Sequence, residues 1–350
     1  MLDGLIISID AMGGDDAPDV VIKGLEYFLK TTGKQRKARF LLHGDQAAIN
    51  TLLAKAPLTK ARSEIRHSDS SIEMDAKPSQ ALRRGKGSSM WNAIQSVKSG
   101  EAEIVVSAGN TGALMAMSMM ILKRKQGVQR PALAASWPNE GGTSVVLDVG
   151  ANVDADAGQL TEFAVLGEAF YRALYKTDRP RVSLLNVGTE DQKGNAVIKA
   201  AHERLSESQL GLNYIGYVEG SDISLGGAEV IVTDGFTGNI ALKTAEGTAK
   251  LVGRYMKDAL QGSWWSKFTA FLNMRALLAL KKRIDPSGFN GAVFLGLNGV
   301  VIKSHGGTDA KGYANAVNIA IGLAESDFLQ TIDVTLEALH DEDDNIGFIK

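Results

Sequence analysis

Asn239 and Lys243 stand four residues apart at the start of a helical pattern, so both side chains point along one face. A lysine in a first helical turn opposes the helix dipole unless an anion sits nearby. Asn110 and Thr111 open another helical pattern, with Gly112 behind them, where free backbone N–H groups and capping side chains coincide. Helix capping alone also accounts for that pair. Asn186, Glu190 and Lys193 gather behind a third apolar run, and His305 sits in a glycine-flanked turn, S-H-G-G-T-D, that permits close backbone approach by a ligand. Neutral donors with a few cations suit the holding of a phosphate or an oxyanion.

The elements that must position these residues follow one plan. Five apolar, β-branched runs each break into a short polar turn followed by a helical pattern: IVVSAGNTGA (104–113), SVVLDVGAN (144–152), VSLLNVGTE (182–190), VIVTDGFTGN (230–239) and VVIKSHGGTD (300–309). The runs read as buried strands, and the turns belong at their carboxyl ends, where open α/β sheets hold ligands. Upstream, the pattern predicts strands at Leu5–Asp10, Ala38–His43 and Ser63–His67, with helices after Pro18 and after an Asp45 cap. Residues 68–89 read as a basic loop with one helical turn. The alternation predicts an α/β protein: a three-layer α/β/α body with a mainly parallel sheet, residues 1–340, and an acidic tail at 341–350.

One stretch does not fit the sandwich. A helical pattern from Phe236 to about Leu260 is broken at Gly262, and a second runs Trp264–Arg283, giving a protruding hairpin at about 245–285. Trp264, Phe268, Phe271 and Leu272 share one face of that second helix, with Trp265 beside them. A buried face, a dimer interface and an anionic membrane surface are all compatible with such a stripe.

Composition narrows the chemistry further. The 350 residues carry a formal net charge of −2, which argues against a dedicated nucleic-acid binder. Basic residues nonetheless cluster at Lys77, Arg83, Arg84 and Lys86, at Lys123, Arg124, Lys125 and Arg130, and at Arg275, Lys281, Lys282 and Arg283, which makes an acidic partner worth testing. The chain has no cysteine, so disulfides, thiolate metal sites and covalent thioacyl catalysis are excluded, and a reducing compartment is expected. Five histidines without cysteine make a zinc site a poor expectation, and no metal is assigned. No Walker A or G-x-G-x-x-G opens the first turn, and no H-E-x-x-H or G-x-S-x-G occurs. The N-terminus has no secretory pattern, and the uncharged stretch Ile104–Leu122 is interrupted by Gly-Asn-Thr-Gly. A soluble, cytoplasmic protein is expected.

Seven ordered motifs carry a resemblance: ISIDAMGGDDAP, KPSQALRRGKGSSM, SAGNTGALMA, LDVGAN, LLNVGTEDQKGN, TDGFTGNIALKTAEG and VIKSHGGTD. In this order, from about Ile7 to Ala324, they resemble the bacterial phosphate acyltransferase family. The resemblance implies transfer of an acyl group from the thioester of acyl carrier protein to inorganic phosphate, giving acyl phosphate for phospholipid synthesis. It also implies a homodimer, a fold similar to isopropylmalate dehydrogenases and phosphotransacetylases, and no cofactor. The product would pass to a membrane glycerol-3-phosphate acyltransferase, placing the enzyme peripherally at the inner face of the cytoplasmic membrane. On that basis Lys243, Asn239, His305 and Asn186 are expected to be catalytic, and Asn110, Thr111, Gly112, Asn152 and Lys193 to hold phosphate or the oxyanion. Arg83, Arg84, Lys86, Lys123 and Arg124 are expected to meet the carrier protein, and Trp264, Trp265, Phe268, Phe271 and Leu272 the membrane. Two alternatives stay open: an enzyme using acyl-CoA, and a non-catalytic adaptor between carrier protein and membrane.

Overall fold

A computed structural model describes residues 4–284 and 286–346. Its strands are β1 (Leu5–Asp10), β2 (Ala38–Gly44), β3 (Ser63–His67), β4 (Ile104–Ser107), β5 (Ala132–Asn139), β6 (Gly142–Leu147), β7 (Arg181–Leu185), β8 (Asn213–Val218), β9 (Val230–Val232), β10 (Ala292–Leu295) and β11 (Val300–Lys303). All lie in one 11-stranded sheet of order β3-β2-β1-β4-β11-β10-β5-β6-β9-β7-β8. The strands from β3 to β11 are mutually parallel, as are β6, β9, β7 and β8. Between these blocks the pairings β11–β10, β10–β5 and β5–β6 are antiparallel.

Three reversals leave the two blocks running in opposite directions. The expectation of one crevice at the carboxyl ends of five strands is corrected by this. The turns after β4 and β11 leave one edge of the sheet, and those after β6, β7 and β9 leave the other. The five-turn pattern could not reveal it, because it covers neither β5 nor β10, whose turns at 140–141 and 296–299 fold back into antiparallel pairs.

The helices are α1 (Asp19–Lys30), α2 (Gln46–Leu53), α3 (Pro57–Arg62), α4 (Pro78–Arg84), α5 (Ser89–Lys98), α6 (Thr111–Ile121), α7 (Ala157–Tyr175), α8 (Ala196–Glu207), α9 (Gly220–Leu225), α10 (Gly235–Gln261), α11 (Trp264–Leu272), α12 (Met274–Ile284), α13 (Ala310–Ala324) and α14 (Phe328–Ile346). Period-two alternation divides the strand side chains between two cores. Ile104, Val106, Val145, Leu147, Val300 and Ile302 face the core built with Leu25 of α1, Phe163 of α7, Val317 of α13 and Leu336 of α14. Val105, Val146, Phe294 and Val301 face the other, built with Ile94 of α5, Leu114 and Met117 of α6 and Ile223 of α9. The layers are α/β/α, as expected. Beyond α6 the second layer thins: α9 packs on β5, and Ala241, Leu242 and Ala245 of α10 lean against the same core, partly buried. An open cleft results.

Helix α10 owes its placement to two glycines. Asp234 caps it, accepting from the Thr237 N–H at 2.8 Å. Gly235 and Gly238 are its buried residues, and a Cβ on Gly238 would lie 1.9 Å from the Asp148 carbonyl oxygen. At 27 residues it is about 40 Å long, so its far half projects from the body.

Several expected boundaries are corrected. The helical pattern after Asn110 continues on paper through residues 113–125, but α6 ends at Ile121, because Lys123 turns to a positive φ of 67°. The single helix expected over Trp264–Arg283 is two, α11 and α12, broken at Asn273, whose N–H bonds back to Thr269 and Phe271. The acidic run at 341–344 lies on α14, which continues to Ile346; residues 347–350 fall outside the described ones. Among the described residues no helix is long and apolar enough to cross a membrane.

Candidate active site

The cleft is a broad opening of about 2460 Å³, larger than the few hundred to ~1,000 Å³ of a typical small-ligand pocket. Its cationic end is built where three turns pack tightly. The turn after β1 meets the turns after β4 and β11: Asp15 N–H donates to the Gly306 carbonyl at 3.0 Å, and a Cβ on Gly13 would lie 2.7 Å from the Gly109 nitrogen. Only glycine admits backbones this close.

Lys303 ends β11 on the same sheet face as Val301, and it is 8% exposed. Its Nζ is 3.4 Å from the Ala108 carbonyl and also contacts the Ser304 carbonyl. Burial depresses its pKa to about 8, helped by the Lys243 charge and opposed by Asp15 and Asp10. Asp10 itself is buried, accepting from Ser89 Oγ and Ser107 Oγ, each at 2.7 Å; burial raises its pKa against those bonds.

His305 is held by Asn290, whose Oδ1 accepts from the His305 N–H at 2.9 Å, while Nδ2 donates to Ser304 Oγ and Thr308 Oγ1. The Gly307 N–H donates to His305 Nδ1 at 3.1 Å. A neutral imidazole has one acceptor nitrogen, so this bond assigns the proton to Nε2. Yet Nε2 is 3.2 Å from Lys243 Nζ, itself 2.9 Å from Glu246 Oε2. Two donors therefore face each other at hydrogen-bond distance. An anion seated to one side of the pair can accept from both. Desolvation first, and then the Lys243 charge, lower the His305 pKa, which keeps the ring neutral.

The expected residues divide as follows. Lys243, His305, Asn239, Asn186 and Thr111 all line the cleft. Lys243 and His305 meet, and Asn239 lies one helical turn earlier, over Gly150. Asn186 lies five strands away from β11, on the order of 24 Å by strand spacing, with its Nδ2 buried and unpartnered. Lys193 is exposed on the same distant turn. Asn110 is fully engaged elsewhere. Its Oδ1 caps α6 through Ala113 N–H at 2.9 Å, and its Nδ2 donates to the Met74 and Ala76 carbonyls. Gly112 packs against Pro78, and Asn152 is buried with Nδ2 donating to the Pro131 carbonyl and Asp148. The amide nitrogens of Asn110 and Asn152 thus have protein partners in place of an open anion position.

Arg83, Arg84 and Lys86 are exposed on and after α4, and Lys123 and Arg124 are exposed after α6. Their neighbour Lys125 is buried and paired with Asp333 of α14, so the second basic cluster loses a member. The side chains of Lys281, Lys282 and Arg283 lie outside the described ones. Trp264, Phe271 and Leu272 are 66%, 69% and 66% exposed, and Trp265 and Phe268 are exposed too; Trp265 stacks on Trp264 and meets Phe268 edge-on, so among the described residues the stripe packs mainly on itself. Among the described residues no group of three metal-ligating side chains gathers.

Sequence reasoning gave no role to Lys303, Asn290 or Glu246. For Lys303 a signal was present: a lysine two residues after Val301 in a buried run must share its inward face.

Fold and site together define a phosphotransacetylase-like α/β/α protein. Solved structures of a phosphotransacetylase from Streptococcus pyogenes (TM-score 0.61, 18% identity, 92% of this chain and 94% of that one) and of a branched-chain phosphotransacylase from Enterococcus faecalis (TM-score 0.57, 12% identity, 92% and 99%) share its fold. The family model "Fatty acid synthesis protein" matches residues 5–331. The phosphate acyltransferase of Maricaulis maris is 53% identical over 332 residues, 95% of this chain and 94% of that protein. That of Caulobacter vibrioides is 52% identical over 339 residues, 97% and 93%. The chain belongs to this phosphate acyltransferase family, and it is an acyltransferase.

Proposed function

We propose that the protein transfers a long fatty acyl group from the thioester of acyl carrier protein to inorganic phosphate, releasing acyl phosphate and the free thiol. The observation that carries this is the facing pair of donors, Lys243 Nζ and His305 Nε2, 3.2 Å apart beside buried Lys303. Together with Lys303 they offer an anion two N–H donors and a buried ammonium at one end of the cleft. A phosphate oxygen attacks the thioester carbonyl carbon, the tetrahedral oxyanion collapses, and the C–S bond breaks. The thiolate takes a proton, for which His305 Nε2–H is the nearest neutral donor. A thioester is already activated, so positioning and oxyanion stabilisation suffice and no acyl-enzyme is needed. The absence of cysteine agrees with that. Lys303 and Lys243 hold phosphate, each charge-assisted bond contributing about 1.5–3 kcal/mol, and Asn239 donates to the oxyanion.

The carrier protein is acidic, and the exposed Arg83, Arg84, Lys86, Lys123 and Arg124 give it complementary charge. The unpacked apolar side chains of α10 and α11 support a homodimer at the hairpin's base and contact with an anionic membrane at its tip. From such a position acyl phosphate reaches a membrane glycerol-3-phosphate acyltransferase for phospholipid synthesis. The test is donor choice: purified protein with phosphate should use long-chain acyl-carrier-protein in preference to the same acyl-CoA. A preference for acyl-CoA would make it a phosphotransacetylase-like enzyme. Carrier-protein binding without acyl release would make it an adaptor.

A further inference from the structure

Beside Lys303 the sheet face is lined with methyl groups. Lys303 pairs with Ala292 of β10, and the β10–β5 register places Ala135 next in line, itself paired with Val146. Lys303, Ala292 and Ala135 all face the cleft, so a floor about 10 Å across, two strand spacings, carries only Cβ atoms. The next cleft-facing residues of β5 along the strand are large: Leu133 on one side and Trp137 on the other. Leu242 and Ala245 of α10 pack against the core on this sheet face and line the same cleft, as do Leu185 and Ile223. The floor is a trough between two bulky walls, in a cleft with apolar side chains from α10 in its lining and the cation cluster at one end of the trough.

We propose that this trough is the slot for the donor's alkyl chain, entered carbonyl-first-out, so that the reacting carbonyl rests at Lys303 and the chain runs over Ala292 and Ala135. The occupant is an unbranched hydrocarbon chain. The carrier's pantetheine arm has amides that the methyl floor would leave unpaired, which is costly, whereas a chain of methylenes loses nothing there. The inference rests on the proposed reaction for the chain's chemistry, and it adds where chain length is sensed.

The test is Ala135→Phe, with Ala292→Leu as a second variant, neither residue being among those assigned to phosphate. The kcat/KM for a palmitoyl donor should fall about tenfold or more, while that for a butyryl donor stays within about twofold of the wild type. Retained butyryl turnover shows that the variant is folded. Equal losses at both lengths, or an unchanged palmitoyl value in both variants, would overturn the slot. Binding of a fluorescent long-chain fatty acid, followed by titration, reads the slot without turnover: the wild type should bind and Ala135→Phe should not. Probe binding lost in Ala135→Phe, in an enzyme that forms no acyl phosphate, keeps the slot and rejects the reaction.

Discussion

At the residue scale, Lys303 decides the most. Its pKa of about 8 makes its charge titrate within the working range of an enzyme assay, and kcat/KM reports the free enzyme's groups. The kcat/KM for phosphate should fall as pH rises through about 8, and Lys303→Gln should show a lowered value without that fall. The changing charge of phosphate is common to both proteins, so the difference belongs to the lysine. An alkaline fall of the same size in Lys303→Gln would remove Lys303 from the site. The stability sign is separate. A lysine depressed from 10.5 binds fewer protons folded than unfolded, so on its account stability rises between about pH 8 and 10.5. His43 gives the acid counterpart: burial first, then Arg66, lowers its pKa to about 4 from 6.5, its Nε2 lying 3.3 Å from Ser96 Oγ. The unfolded chain binds the extra proton in this window. Stability should therefore drop as pH falls from 6.5 to 4, by up to about 3 kcal/mol, and denaturant titrations of His43→Asn should show a smaller drop.

At the element scale, α10 carries Asn239, Lys243 and Glu246 into the cleft, yet it is held by little more than Gly235, Gly238 and its Asp234 cap. Gly238→Ala puts a Cβ into the Asp148 carbonyl and must lift the first turn. Activity should fall by an order of magnitude or more while the melting temperature moves only a few degrees, since the sheet's two cores are untouched. Gly247 lies farther along, with nothing within 4 Å of an added Cβ. Gly247→Ala should keep activity and stabilise the helix by about 0.8–1.0 kcal/mol. Loss of activity in Gly247→Ala, or full activity in Gly238→Ala, would mean that the position of α10 does not govern the site.

This scale is also where legibility changes. The turn holding His305 and the helix start leading to Asn239 and Lys243 stood out because apolar runs end abruptly in polar residues, though α10 begins at Gly235 and so carries Lys243 in its third turn, not its first. The parallel strands other than β8, and α10, were legible for the same reason. What pairs with what was not: β5 and β10, which reverse the sheet, look like ordinary apolar runs. The division of the polar turns between two sheet edges was therefore hidden. Asn110 and Asn152 looked like ligands because an amide's partners are set by tertiary packing, here the Met74, Ala76 and Pro131 carbonyls.

At the scale of the molecule, a cation-lined cleft is accompanied by charged and apolar surfaces outside it. Association with an acidic carrier protein through exposed arginines and lysines should make kcat/KM for acyl-carrier-protein fall steeply with added salt. A flat response would detach the basic clusters from that partner. The projecting stripe of Trp264, Phe268, Phe271 and Leu272 should sediment the protein with anionic vesicles, and Trp264→Ser with Phe268→Ser should weaken that. Unchanged sedimentation of the double variant would return the stripe to a contact between copies.

The central claim is that phosphate itself attacks the thioester in this cleft. Purified protein incubated with long-chain acyl-carrier-protein should form acyl phosphate, one per thiol released, when phosphate is added, and without phosphate it should neither release thiol nor become acylated. Acylated protein formed without phosphate, or thiol released with no acyl phosphate, would contradict it.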